Sequence, residues 1–241
     1  YFYNMLSIII PTLNEEKYLP LLLESVKKQS FKDYELIVAD AGSIDKTLEI
    51  AKKYRCSIIP GGLPAKARNN GAKVAKGSLL LFLDADVILP EKFFEKTLKE
   101  FKKRKLKITS FCLEFLPQKK LSSFFINTFY NKPIVLLENI LPHTATGILV
   151  EKKIFDKLNG FDENIKLAED HDLARRVSKY AKFGIIKSTK IFVSDRRFRK
   201  DGWFMVSLKY LLCELYIIFI GPVKSNIFNY KFNHYKDEKN K

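Results

Sequence analysis

Short apolar runs alternate with amphipathic stretches through the first hundred residues. Leu6-Ser7-Ile8-Ile9-Ile10 stops at Pro11, and Glu35-Leu36-Ile37-Val38-Ala39 ends at Asp40-Ala41-Gly42-Ser43. Ser57-Ile58-Ile59 is shorter, and Leu79-Leu80-Leu81-Phe82-Leu83 closes on Asp84-Ala85-Asp86. These runs are apolar on both faces, as strands of a parallel sheet covered by helices must be. Between them, Tyr18, Leu19, Leu22, Leu23 and Val26 recur at helical spacing behind Asn14 as a cap. Asp45 caps a helix through Tyr54, Pro64 opens one that ends at Lys76 before Gly77, and Pro90 opens one to about Arg104. The β-α-β-α order with short connections predicts an α/β domain with a doubly wound, mostly parallel central sheet flanked by helices.

The second half is less regular. Residues 121–141 are rich in aromatic and aliphatic side chains and are interrupted by Pro133. A strand is expected over 146–150, a helix over 168–181, and strands at 185–186 and 191–193. The stretch from Trp203 to Ile220 is the most apolar of the chain, closes on Gly221-Pro222, and is followed by a Lys- and Asn-rich tail.

Composition narrows the class. With 46% hydrophobic residues, 20 Phe and 11 Tyr, the 241-residue chain is not disordered, although 43 Lys+Arg against 27 Asp+Glu leave it at +16. Cys56, Cys112 and Cys213 are too dispersed for a disulfide framework or a zinc cluster, which suits a reducing compartment. The opening residues do not read as a signal peptide, and Met5 is a candidate start. The charge by itself leaves nucleic acid, anionic lipid and a phosphorylated substrate open.

In doubly wound sheets ligands sit beyond the carboxyl ends of the strands. Polar residues collect there: Thr12, Asn14 and Glu15 after the first strand, Asp40 after the second, Asp84 and Asp86 after the fourth. An Asp-x-Asp pair can share a divalent cation and sugar hydroxyls, and a bare pair is equally a solvated turn; its place after a buried strand favours the site. Asp40 can accept from a nucleobase or ribose, or simply form a turn before Gly42. Glu169-Asp170 opens a helix, where acids complement the dipole and where a general base can also stand. Arg68, with Asn69-Asn70, lies in the helix opened by Pro64 and suits a base or diphosphate, or is an exposed arginine among lysines. Arg196-Arg197-Phe198-Arg199-Lys200 is open to a diphosphate, a lipid headgroup or solvent. His143, His171 and His234 have no metal-ligand spacing, and nucleophile-elbow, Walker A and dinucleotide signatures are missing.

Taken in order, these blocks resemble the family 2 glycosyltransferases of the GT-A fold, over about Met5 to Trp203. The opening strand motif runs from Ser7 to Glu15, the second block from Glu35 to Thr47, and the third from Ala65 to Gly71. Leu83-Asp84-Ala85-Asp86, Gly160-Phe161-Asp162 and Glu169-Asp170 are similar to the D-x-D, G-F-D and E-D elements. The resemblance implies an inverting transfer of one sugar from a nucleotide diphosphate sugar, assisted by Mg²⁺ or Mn²⁺. Pro11, Thr12, Glu15, Asp40 and Arg68 would hold the nucleoside, Asp84 the ribose or sugar, and Asp86 the metal. Asp170 would be the base, with Glu169 beside it, and Arg196, Arg197 and Trp203 are candidate diphosphate or acceptor contacts. It also implies a GT-A domain over 1–202, with its nucleotide half at about 5–104 and its acceptor half at 105–202, followed by an appendage over 203–241.

Three departures stand out. Ala41 occupies the place of a second Asp in many relatives, Ile88 adds no metal ligand after the D-x-D, and the Q-x-x-R-W element of processive relatives is replaced. Single additions are therefore expected. A UDP-sugar is favoured as donor, with a GDP-sugar as the other option. The acceptor is expected to be a glycan or a lipid-linked hydroxyl, because a polyprenyl phosphate is already ionised and needs no strong base. Residues 203–220, with Phe204, Leu208, Leu211, Leu212, Leu215 and Phe219 on one stripe, either pack on the core or lie on an anionic membrane, ahead of a true span. The expected location is cytoplasmic, peripheral at the cytoplasmic membrane face. A polyprenyl-phosphate transferase, a non-catalytic nucleotide or lipid binder and a nucleotidyltransferase are the competing readings; nucleic acid is not an expected partner.

Overall fold

The apolar runs become the strands that need cover on both faces. β1 (Leu6–Thr12), β2 (Tyr34–Asp40), β3 (Ser57–Pro60) and β4 (Leu79–Leu83) lie parallel in the order β3-β2-β1-β4. The structure is a computed structural model and describes residues 5–144, 146–195, 198 and 202–224. Successive residues of β1 feed different layers. Ile8 and Ile10 join Leu19, Leu22, Leu23 and Val26 of α1 (Leu19–Lys27), while Ile9 joins Ala65 and Ala72 of α3 (Pro64–Val74). The α3 contact is close enough to require glycine: a Cβ at Gly71 would lie 2.3 Å from Ile9 Cγ2. α2 (Thr47–Lys53) and α4 (Phe93–Lys103) complete the first half.

β5 (Val87–Ile88), β6 (Ile108–Leu116), β7 (Gly147–Glu151) and β8 (Phe183–Ser194) extend this into one eight-stranded sheet, β3-β2-β1-β4-β7-β6-β8-β5. It is mixed but mostly parallel, with antiparallel pairs at β4–β7, β6–β7 and β5–β8. β6 is not marked by the apolar pattern, because Thr109, Ser110 and Glu114 interrupt it. All three are nevertheless buried and satisfied by neighbours. Thr109 donates to the Gly184 carbonyl at 2.5 Å, Ser110 donates to the Gly147 carbonyl at 2.9 Å, and Glu114 takes Lys190 at 3.1 Å.

Several expected boundaries move for identifiable reasons. Residues 185–186 and 191–193 are one strand, interrupted where Phe111 pairs Ile186 but Cys112 pairs Lys190. The residues skipped there are held as a bulge by Glu100, which accepts the Lys187 and Ser188 amides. Asn14 is not the cap of α1. It sits at φ 58° and accepts the Ile44 amide, tying two loops together. The helix expected from Pro90 begins at Phe93, whose amide donates to Gln29 Oε1 at 2.8 Å while Gln29 Nε2 donates to the Pro90 carbonyl. Pro133 does not end the aromatic segment. α5 (Lys120–Ile126), a π-helical turn (Asn127–Asn131) and α6 (Lys132–Leu136) run on, and Pro133 occupies the first turn of α6.

α7 (Lys152–Lys157) and α8 (Glu169–Ser178) precede the last helix, α9 (Trp203–Phe219). α9 packs by Cys213 and Ile217, with Val223 just beyond it, against Leu167 and Ala168. The following turn is fixed by a bridge between Leu167 and Val223 and by the Lys166 amide donating to the Val223 carbonyl. The expected apolar stripe is on the other side: Leu208, Leu211, Leu212, Leu215 and Phe219 are exposed. Among the described residues no helix is long and apolar enough to cross a membrane.

Candidate active site

The strand ends are cross-stitched before any charged group is considered. Thr12 lies opposite Asp40 in register, and its hydroxyl donates to Asp40 Oδ1 at 2.9 Å. The other oxygen, Oδ2, accepts the Gly42 and Ser43 amides at 2.9 and 2.8 Å, and Ser43 Oγ also donates to Oδ1. A carboxylate has about four lone-pair positions, so Asp40 is fully engaged in shaping the 40–43 turn. Gly42 is at φ +95°, a conformation that favours glycine. Pro11 pairs with Ala39, and the Glu15 amide donates to Thr47 Oγ1 at 2.7 Å, so the first loop is held against the start of α2.

Arg68 is the centre of the site. α3 carries its guanidinium inward, where Nη2 meets Asp84 Oδ1 at 3.0 Å and Nη1 meets Glu169 Oε1. Its Cζ stands 5.5 Å from the centre of the Phe161 ring. Of the two expected alternatives, the exposed arginine is not found: the side chain is buried between two acids. One fork thus joins the end of β4, the first turn of α8 and the Gly160-Phe161-Asp162 turn. Burial works against the Arg68 cation, but Glu169, Asp84 and Asp170 outweigh it and raise its pKa further.

The acids feel one another. Burial pushes the Asp84 carboxyl up to about 6; Arg68 pulls against this, and Asp86 and Asp170 add to it. Burial likewise raises Glu169, opposed by Arg68 and assisted by Asp170. Asp84, Asp86, Glu169 and Asp170, which the family resemblance assigns to one site, therefore occupy one electrostatic neighbourhood. Oxygen-only donors of this kind suit a hard divalent cation. Asp170 is the second residue of α8 and accepts the His171 amide at 2.9 Å.

The Gly160 turn is fixed by Asn69 and Arg176. Asn69 exchanges two 2.9 Å hydrogen bonds with the Phe161 backbone, and Arg176 donates to the Leu158 and Gly160 carbonyls. Gly160 is at φ +65°, and a Cβ there would lie 2.6 Å from Asn69 Oδ1.

Beyond Asp170 lies a second cluster. His171 Nδ1 is 2.8 Å and His143 Nδ1 3.4 Å from Glu214 Oε1, and the two imidazole rings are 4.2 Å apart. Histidines with no ligand spacing in sequence are thus brought together by the fold, and Glu214 is contributed by α9. Burial lowers His143, with help from His171. Burial would also lower His171, but Asp170 and Glu214 lift it to about 9. Burial opposes the Glu214 anion, yet the two histidines hold its carboxyl well below the usual range. Of the remaining candidates, Arg196, Arg197 and His234 lie outside the described residues, and Trp203 is the first residue of α9.

The fold and the acid cluster define a GT-A-type glycosyltransferase domain. The sequence matches the glycosyl transferase family 2 over residues 7–158, and the chain belongs to that family. It is 31% identical over 213 residues to the minor teichoic acid biosynthesis protein GgaB of Bacillus subtilis, covering 81% of this chain but 23% of GgaB. It is 41% identical over 90 residues to the poly(ribitol-phosphate) beta-N-acetylglucosaminyltransferase TarS of Staphylococcus aureus, covering 33% of this chain and 16% of TarS. The chain therefore spans under a quarter of the length of either relative. Among solved structures, S. aureus TarS 1-349 in complex with UDP-GlcNAc superposes with a TM-score of 0.63 at 24% identity, over 79% of this chain and 58% of that one. The mannosyltransferase PcManGT of Pyrobaculum calidifontis, in complex with GDP-Man and Mn²⁺, gives 0.67 at 15% identity, over 86% and 61%. These structural likenesses speak for the fold.

Proposed function

We propose that the chain transfers a single sugar from a nucleoside diphosphate sugar to a hydroxyl acceptor with inversion at the anomeric carbon. The observation that carries this reading is the Arg68 fork, which places the Asp84-Ala85-Asp86 end of β4 and the Glu169-Asp170 start of α8 in one neighbourhood. Pro11, Thr12, Glu15, Asp40 and Arg68 form or brace the wall where the nucleoside would lie, and Asp84 would meet the ribose or sugar. Asp86, assisted by Asp84, would hold Mg²⁺ or Mn²⁺; crowded carboxylate oxygens fit such an ion. When bound, the cation supplies neutralisation of the leaving diphosphate. Asp170 would take the proton as the acceptor oxygen bonds to the anomeric carbon and the bond to the diphosphate breaks. Glu169, tied to Arg68, positions this first turn of α8.

A UDP-sugar is the first donor to test, because TarS is named for a sugar transfer and has been solved with UDP-GlcNAc; a GDP-sugar is the second. The acceptor is a glycan or lipid-linked hydroxyl. The exposed stripe of α9 and the +16 charge support a peripheral seat on an anionic membrane, at the cytoplasmic face. Domain bounds of 1–202 and 203–241 belong to the same proposal.

A panel of nucleotide sugars, with Mg²⁺ or Mn²⁺, tests it by calorimetry and product analysis. One donor should bind in a metal-dependent way. Asp86→Ala should remove the metal dependence, and Asp170→Asn should keep donor binding and lose transfer. A folded protein that binds no nucleotide at millimolar concentration overturns the reading.

A further inference from the structure

Glu214 is a charge on the inward face of an otherwise apolar helix. Leucines of α9 point away from the protein while this carboxylate points in, toward His143 before β7 and His171 in the first turn of α8. That inversion of the usual arrangement calls for a partner that only polar side chains can recognise.

The geometry of the three groups suits a metal ion as that partner. His143, His171 and Glu214 each offer one ligand atom, and these atoms lie within 4.8 Å of one another. Two of the separations, 2.8 and 3.4 Å, bracket the edge of about 3.3 Å expected between ligands in a tetrahedron built on bonds of about 2.0–2.1 Å. The His171 Nδ1 atom is buried and faces Glu214 Oε1 directly. Its other nitrogen, Nε2, lies 3.9 Å from Asp170 Oδ1. Two nitrogens and one carboxylate oxygen match zinc better than the magnesium or manganese suited to the all-oxygen Asp84–Asp86 pair.

We propose that His143, His171 and Glu214 form a zinc site that pins α9 to the start of α8, directly behind Asp170. The ion takes Nδ1 of both histidines and Glu214 Oε1, leaving a fourth position for water. Binding crosslinks three segments that are far apart in sequence: the loop before β7, the first turn of α8, and α9. It also fixes the imidazole that neighbours the proposed base, so the position of α9 and the geometry at Asp170 become coupled. The site is separate from the Asp86 position, and its occupancy is measurable without any sugar donor.

The experiment uses the full chain, stripped with chelator and titrated with Zn²⁺, with calorimetry and elemental analysis for stoichiometry. Co²⁺ serves as the spectroscopic probe, since tetrahedral nitrogen and oxygen ligation gives intense visible bands. One equivalent of zinc should bind and raise the Tm. Asp86→Ala should retain this binding, whereas His143→Gln and Glu214→Gln should each weaken it about 100-fold or more and abolish the tetrahedral Co²⁺ spectrum. Circular dichroism of the metal-free variants separates loss of ligand from loss of fold. If His143→Gln fails to fold, Glu214→Gln, on the surface helix, carries the test. No binding at micromolar zinc to the folded wild type overturns the proposal, as does zinc binding unchanged in the folded Glu214→Gln variant. Binding lost only in Asp86→Ala overturns it too, by moving the ion to the acid pair. Failure of the donor panel with zinc still bound would count against the transferase reading alone.

Discussion

Asn69 and Phe161 exchange a reciprocal pair of hydrogen bonds: Asn69 Nδ2 donates to the Phe161 carbonyl, and the Phe161 amide donates to Asn69 Oδ1, each at 2.9 Å. The amide side chain thus completes the backbone of a turn in the other half of the chain, next to the ring that Arg68 approaches. Asn69→Ala leaves both backbone groups unmade and should cost about 1–2 kcal/mol. Asn69→Asp can accept but not donate, and should recover only part of that. The midpoint of urea unfolding, at constant m-value, measures both.

Arg68→Met should be more damaging. Removing the guanidinium strands two carboxylates, Asp84 and Glu169, that it presently balances. Loss of one partner from a buried ion pair costs about 3–5 kcal/mol. Arg68→Lys restores the charge but not the fork, so it should recover stability only partly and nucleotide binding less. Denaturant unfolding alongside donor titration checks the two effects; an Arg68→Met protein as stable as wild type would remove the fork from the account.

Acid should loosen the sheet around Glu138. Burial opposes this carboxylate, but the Ile185 amide, Lys187 and Arg104 outweigh it and hold its pKa below 4.5. A depressed folded pKa gives stability that is fully present above the unfolded value of 4.5 and disappears as pH falls through the folded value. Glu138→Gln should lose about 2–3 kcal/mol at neutral pH and show a shallower fall in Tm on acidification. Thermal unfolding across the acid range reads the difference between the two curves.

The outward stripe of α9 makes a separate prediction. Leu211→Ser with Leu215→Ser should leave folding within about 0.5 kcal/mol, since both side chains are exposed. Recovery with anionic vesicles in a flotation assay should nevertheless drop several-fold, and raised salt should weaken wild-type recovery. Equal flotation of the two proteins would take the membrane role away from this helix.

What is legible in the sequence follows from local rules. Ile8 to Ile10 and Leu79 to Leu83 are apolar throughout, and such runs have few structural options besides a covered strand. Their ends locate Asp40, Asp84 and Asp86, and the first turn of α8 locates Glu169 and Asp170. β6 escapes because its polar residues find partners only on β7 and β8, which are distant in sequence. The α9 stripe is legible as one helical face but without a direction, since periodicity identifies a face and not what lies opposite it.

The sequence by itself determined the parallel core, the strand-end and helix-start places of the acids, and the family resemblance, because these depend on local patterns and on their order along the chain. Only the tertiary structure decided that Arg68 is spent between Asp84 and Glu169, that Asn69 completes the Phe161 turn, and that His143, His171 and Glu214 converge. Those are contacts between segments. Their geometry is set by how helices and strands pack, and no local pattern encodes which side chains will meet.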